Sequence, residues 1–240
     1  MKSLAKILIL LSTTIFLLQI ACSKSPTSSV SAEGSIKFSI KSVSNSAANK
    51  FNKAVNSVTI TSARVVIKEI EFESSVEDSV DFEFEEPFVQ DLVVDTSLHE
   101  IGTVQVPFGT YKELEIEIDK LKEKDGTAFT QNPELQNLSI RVEGYLNGDP
   151  NSTFVFTSDL EAEQEREFSP PLVIDENSPS TNVVLTINMG MWFVDSNNNP
   201  LDPTLSENRS RIEKNIKNSL KVFKDEDDDG KEDHEEDDND

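Results

Sequence analysis

Cysteine is nearly missing from this 240-residue chain, with Cys22 alone. No disulfide can form within it, and no cysteine-built metal site is possible. Histidine is almost as scarce. His99 and His234 are the only two, and neither stands at a triad or metal-ligand spacing. No Gly-x-Ser-x-Gly and no glycine-rich phosphate loop is present, so nucleophilic and nucleotide chemistry have no recognisable seat. Positive charge is in deficit: 22 Lys and Arg face 45 Asp and Glu, a net charge of −23. That balance excludes nucleic-acid binding, which needs cationic grooves to displace counterions. It equally excludes electrostatic docking on anionic lipid. An extended apolar stretch occurs at Ile7 to Leu18, broken by Ser12, Thr13 and Thr14, and is too short for a membrane span.

What is present begins with that stretch. Lys2 and Lys6 precede it and the small Ala21 ends it, which is the layout of a cleavable export signal over residues 1–21. A cysteine directly after the cleavage point resembles the lipobox of bacterial lipoproteins. Ile20 and Ala21 suit that motif, and Gln19 stands where the family usually has Leu. The resemblance implies that the Cys22 thiol receives diacylglycerol and becomes the mature N-terminus. The body then stays in water, moored to a bacterial membrane by its lipid. It also implies a cell-envelope location, and Ser23 fits sorting to the outer membrane. Residues 22–33 are rich in Ser, Thr and Pro and read as a flexible tether.

From Gly34 the hydrophobic period is two, the strand signature. Ile36, Phe38 and Ile40 alternate with Lys37, Ser39 and Lys41. Val58 and Ile60, then Ala63, Val65 and Ile67, then Ile70 and Phe72 form sets whose phase shifts predict bulges or strand breaks. Val80 to Phe84 and Phe88 to Val94 give further strands. Val104 and Val106 lead through Pro107-Phe108-Gly109-Thr110 into Tyr111, Leu114, Ile116 and Ile118, which reads as a hairpin. Asp125-Gly126 marks a turn. Strands are also predicted at 138–145, 153–157, 168–174 and 183–193. The fold class is mainly β: one antiparallel β-sandwich, Ig-like or prealbumin-like, over residues 34–194. Residues 195–224 read as a turn and one C-terminal amphipathic helix. Thr204 and Glu207 form its capping box, and Leu205, Ile212, Ile216, Leu220 and Phe223 its apolar stripe. With Val106-Pro107-Phe108-Gly109-Thr110-Tyr111, this organisation resembles an uncharacterised β-sandwich domain of bacterial and archaeal lipoproteins. That resemblance implies an envelope binding or structural module without catalytic residues.

Residues 225–240 hold twelve acidic side chains and one Lys. Within them, Asp225, Asp227 and Asp229 stand at positions one, three and five of a calcium loop. Gly230 stands at six for the sharp turn, and Lys231 offers its carbonyl at seven. Asp233 follows at nine and Glu236, suited to bidentate binding, at twelve. The pattern resembles the calcium loops of EF-hands, dockerins and thrombospondin type 3 segments, and implies Ca2+ as a weakly held cofactor. A disordered polyanion explains the same composition. A poorer match at 195–202, with Pro200 in the glycine position, reads as a plain turn. Glu69, Glu71 and Glu73, and Glu113, Glu115 and Glu117, form rows expected to face solvent or a cation.

These features together predict a lipid-anchored envelope protein with a non-catalytic binding, adhesion or structural role. Its partners are the bacterial membrane, through the lipid, and an envelope protein or glycan. A carbohydrate-active hydrolase using paired Asp and Glu is the alternative from another class, and an envelope assembly accessory a third.

Overall fold

Apolar alternation along the chain becomes two sheets packed face to face. The computed structural model describes residues 33–43, 55–75, 81–84, 86–92, 97–225, 227 and 229–232. Cys22, Asp233, His234 and Glu236, and with them the export signal and the tether up to residue 32, lie outside these residues; Glu33, the tether's last residue, opens the first strand. The described strands run in chain order: β1 (Glu33–Val43), β2 (Val58–Ser74), β3 (Phe82–Phe84), β4 (Phe88–Leu92), β5 (Leu98–Pro107), β6 (Gly109–Ile118), β7 (Ile140–Leu146), β8 (Thr153–Ser158), β9 (Ala162–Ile174), β10 (Ser180–Asn188) and β11 (Leu220–Lys224). One sheet has the order β11-β10-β1-β5. The other has the order β8-β7-β2-β6-β9, with β3 and β4 also on β2. The core lies between them. Ile36, Phe38 and Ile40 meet Val183, Leu185 and Ile187 in the first sheet, and Leu114, Ile116 and Ile118 point inward from the second. Each such side chain contributes about 1.5–3 kcal/mol by leaving water.

The sandwich is as predicted, with three corrections. First, β1 and β10 pair in parallel, from Ser35↔Ser180 to Val43↔Asn188; the other pairings are antiparallel. Second, Pro107-Phe108-Gly109 does not close a hairpin. β5 pairs with β1 in the first sheet and β6 with β2 and β9 in the second, so the turn carries the chain across the sandwich. Tyr111 donates its hydroxyl proton to the Pro107 carbonyl at 2.8 Å and fixes that corner. Alternation marks strands but not their partners, which is why the corner read as a hairpin.

Third, the C-terminal helix is shorter than its stripe. Thr204 does not cap it: no side chain caps the 3-10 turn or the helix, and Asp202 holds a turn ahead of them, its carboxylate accepting from the Thr204 backbone N–H at 2.8 Å and hydroxyl at 2.6 Å. A 3-10 turn at Ser206–Asn208 follows, then α2 (Arg209–Asn218). The helix stops at Ser219, whose hydroxyl donates to the Ile216 carbonyl and accepts from Trp192 Nε1. Leu220 and Val222 then enter the core with period two, as β11 against β10. Leu220 and Phe223 lie at helical spacing from Ile216 by coincidence of phase. Ile212 and Ile216 are buried, while Asn215 ties α2 to the Trp192 and Val194 carbonyls.

The phase shifts in residues 58–74 are bulges in one long strand rather than breaks. Residues 63–65 pair with β7 on one side and β4 on the other; residues 70–72 pair with β3 and β6. Along one edge of β2, therefore, β7 gives way to β6, and along the other β4 gives way to β3, so Ile67 has β4 on one side and β6 on the other. Between β6 and β7 the chain makes an excursion through a 3-10 turn at Glu123–Asp125, a short helix α1 (Gly126–Gln131) and a second 3-10 turn at Pro133–Leu135. The turn predicted at Asp125-Gly126 is present: Gly126, at φ +54°, ends the first 3-10 turn and leads into α1. The excursion packs Leu121 and Leu135 on Val66, which points away from the main core.

Candidate functional site

The acidic loop begins where β11 ends. Asp225 is fully buried, although it opens the most acidic run of the sequence. Its backbone N–H donates to the Asn182 carbonyl at 3.0 Å, continuing the β10–β11 ladder by one residue. One carboxylate oxygen accepts from the Asp229 N–H at 3.1 Å. The other accepts from the Gly230 N–H at 2.9 Å and from Asn182 Nδ2 at 3.3 Å. Asn182 in turn accepts from the Ser39 hydroxyl at 3.0 Å, so the chain of bonds reaches β1. Gly230 has φ +71°, a left-handed conformation that glycine adopts without steric cost.

Carboxylate oxygens of Asp225, Asp227 and Asp229 lie within 4.8 Å of one another. Three of the predicted oxygen ligands are therefore brought together. Lys231 follows with its N–H on Asp229 Oδ1 at 2.8 Å and its ammonium on the other oxygen of that carboxylate. This ammonium is the main cause that holds the Asp229 carboxyl below its usual range. Lys41 donates to the Gly230 carbonyl at 2.7 Å and Arg166 pairs with Glu232 at 2.5 Å. Lys41 belongs to β1 and Arg166 to β9, so the loop is pinned to both sheets. A carboxylate oxygen has two lone pairs, and a loop N–H takes one of them. The arrangement therefore gathers three carboxylates of the hard-oxygen type that calcium binds.

The other calcium-like segment is a turn, as expected. Asp195 accepts from the backbone N–H groups of Asn197 and Asn199, and Val194 bridges to Pro200. His99 lies in β5 opposite Ile40.

The glutamate rows meet on the outer face of the second sheet. Glu73, Glu71 and Glu69 of β2 stand opposite Glu113, Glu115 and Glu117 of β6. Those stand opposite Glu167, Glu165 and Glu163 of β9, a third row that sequence reasoning missed. Glu83 of β3 also faces Glu71. Burial, and then the neighbouring carboxylates, push the Glu71, Glu113, Glu115 and Glu117 carboxyls above their usual range. Lys112 on Glu73 is an exposed counter-ion at one end.

At the other end of the rows lies a cleft of about 1180 Å3. It lies over the β2 bulge, between the start of β4 on one side and the end of β6 on the other, with the α1 excursion as a wall. Lys68 is the extra residue of the β2 bulge, between Ile67 and Glu69. A bulge re-aims its side chain, and Lys68 here is 8% exposed with its ammonium 2.6 Å from Asp125 Oδ2. That oxygen also accepts from the Lys122 N–H. Asp119 is similarly engaged, by the Lys122 ammonium at 2.5 Å and the Lys120 N–H at 2.7 Å. Burial favours the neutral Asp119 acid, but those two hydrogen bonds win and hold its carboxyl below the usual value. Glu117 is pushed the other way, by burial and then by Asp119 and Glu69. The sequence signal for Lys68 was the change of phase between Ile67 and Ile70.

Comparison of the chain with protein-family models, with curated proteins and with solved structures finds no match.

Proposed function

We propose that this chain is a lipid-anchored, non-catalytic protein of the bacterial cell envelope, whose C-terminal loop takes a calcium ion as a clasp across the sandwich. The observation that carries the reading is the placement of Asp225. A fully buried carboxylate, bonded to the N–H groups of its own loop, stands within 4.8 Å of two further carboxylates that point at the same space. Calcium supplies the positive charge for that cluster, with the Lys231 carbonyl, Asp233 and Glu236 completing six to eight oxygens. On binding, the Lys231 ammonium leaves Asp229 and the ion takes its place. The ion then links the chain end to β10 and β1 through Asp225 and Asn182. The non-catalytic part of the reading is supported by the cleft, where Asp119 and Asp125, its buried carboxylates, are each engaged by a lysine. Anchoring rests on the residues around Cys22.

Titration calorimetry tests the clasp. Calcium is expected to give heat with the wild type and none with Asp227→Asn/Asp229→Asn or with Glu236→Ala. Heat that all these variants retain, or no heat from the wild type, rules the clasp out. Mass spectrometry of the protein from its native host tests the anchor: a diacylglycerol-modified Cys22 at the N-terminus supports it, and an unmodified residue 22 overturns it.

A further inference from the structure

The cleft has a second property beyond its buried ion pairs. Lys68 is spent on Asp125 and Lys122 on Asp119. Of the remaining charged groups around it, Lys124 faces Glu69, Glu86 and Glu117, so the free charge is negative. Pro87 and Phe88 give it an apolar wall. Such a wall suits the methylene stem of a long basic side chain, whose cationic tip then reaches the carboxylates. Glu69 and Glu117 line the cleft and are also the first members of the glutamate rows. The cleft is therefore continuous with a longer acidic track.

The track has a period. Glutamates two residues apart on a strand repeat at about 6.8 Å. Alternate side chains of any extended polypeptide repeat at the same distance. Placing like charges opposite each other on neighbouring strands lowers stability. The chain mixes signs elsewhere on its surface, as at Arg64–Asp91 and Arg141–Glu143. A face that sacrifices stability in this way is what a binding surface for the opposite charge requires.

We propose that the cleft and the glutamate rows opening from it form the docking surface for an extended basic segment of another protein. Alternate lysine or arginine side chains of that segment sit on the rows, and one enters the cleft between Phe88 and Glu117. The site is separate from the calcium loop and needs neither the ion nor the lipid.

The test uses a fluorescein-labelled dodecapeptide of alternating Lys and Thr, with the full chain and anisotropy at low salt. The peptide is expected to bind, and Glu69→Gln/Glu117→Gln to weaken it about tenfold or more. Neutralising these two residues removes repulsion, so the double variant is expected to fold at least as well as the wild type. Asp227→Asn/Asp229→Asn should leave binding unchanged. A peptide of the same composition with its lysines in one block should bind less tightly. Absence of binding, equal loss in the tail variant, or no preference for the alternating peptide overturns the proposal. So does full displacement of the peptide by millimolar magnesium, which would make the occupant an ion.

Discussion

Glu71→Gln is expected to stabilise the protein. Glu71 stands directly opposite Glu83 on β3 and Glu115 on β6, and the carboxylate oxygens of Glu69, Glu71 and Glu83 lie within 4.8 Å of each other. In water, Coulomb's law puts each repulsion at that distance at about 0.9 kcal/mol. Physiological salt roughly halves it. With at least two such neighbours, and glutamine keeping the shape of the side chain, the variant gains about 1 kcal/mol. For a domain of this size that raises Tm by about 2–4 °C. The assay is built in, because the single tryptophan, Trp192, is 1% exposed and its emission reports unfolding. The pH dependence has a definite sign. The Glu71, Glu113, Glu115 and Glu117 carboxyls are raised in the folded state, so the folded protein binds protons more readily than the unfolded chain. Stability is therefore lost as pH rises from the ordinary carboxylate range through those raised values. The wild-type Tm should climb as pH is lowered from 7 towards 5. The advantage of Glu71→Gln should shrink over the same interval and vanish in about 1 M salt. A variant Tm equal to or below wild type at pH 7 and low salt would refute the reasoning.

Three further outcomes follow from close contacts. Gly144→Ala places a Cβ 2.0 Å from the Thr59 carbonyl across the β2–β7 pair; backbone must part, costing about 3 kcal/mol, seen as a fall in denaturation midpoint without change in m. Lys68→Ala leaves Asp125, whose side chain is 4% exposed, with no cationic partner in the cleft floor. Urea melts should show a loss of about 3–5 kcal/mol, whereas the double change Lys68→Met/Asp125→Leu should recover much of it. Gly230→Ala forces a left-handed conformation on a residue with a side chain, at about 1–2 kcal/mol; the loop relieves that strain by opening locally while the sandwich stays folded, so proteolysis should reach the C-terminal loop faster and Tm barely move.

The strands were legible because each carries its own alternation. Ile36-x-Phe38-x-Ile40 needs no partner to be read. Their neighbours were not, because pairing depends on contacts such as Ser35↔Ser180 that no local pattern encodes. The loop aspartates were legible by spacing, while the burial of Asp225 was not, since it depends on Asn182 offering a carbonyl and an amide from a distant strand. Two of the three glutamate rows were visible in sequence. Their assembly into one field required the β2–β6–β9 register. The cleft was invisible for the same reason: its floor, walls and rim come from β2, β4, β6 and the α1 excursion.

The parallel seam between β1 and β10 sets a timetable for the newborn chain. The first described strand has its inner partner 145 residues downstream, Ser35 against Ser180. At ribosomal speeds of 5–20 residues per second, that delay is about 7–30 s. During it, Ile36, Phe38 and Ile40 have no β10 to rest beside. A ribosome stalled short of Ser180 would thus display a nascent chain with β1 unpaired along its β10 edge, a natural target for whatever escorts polypeptides before they fold.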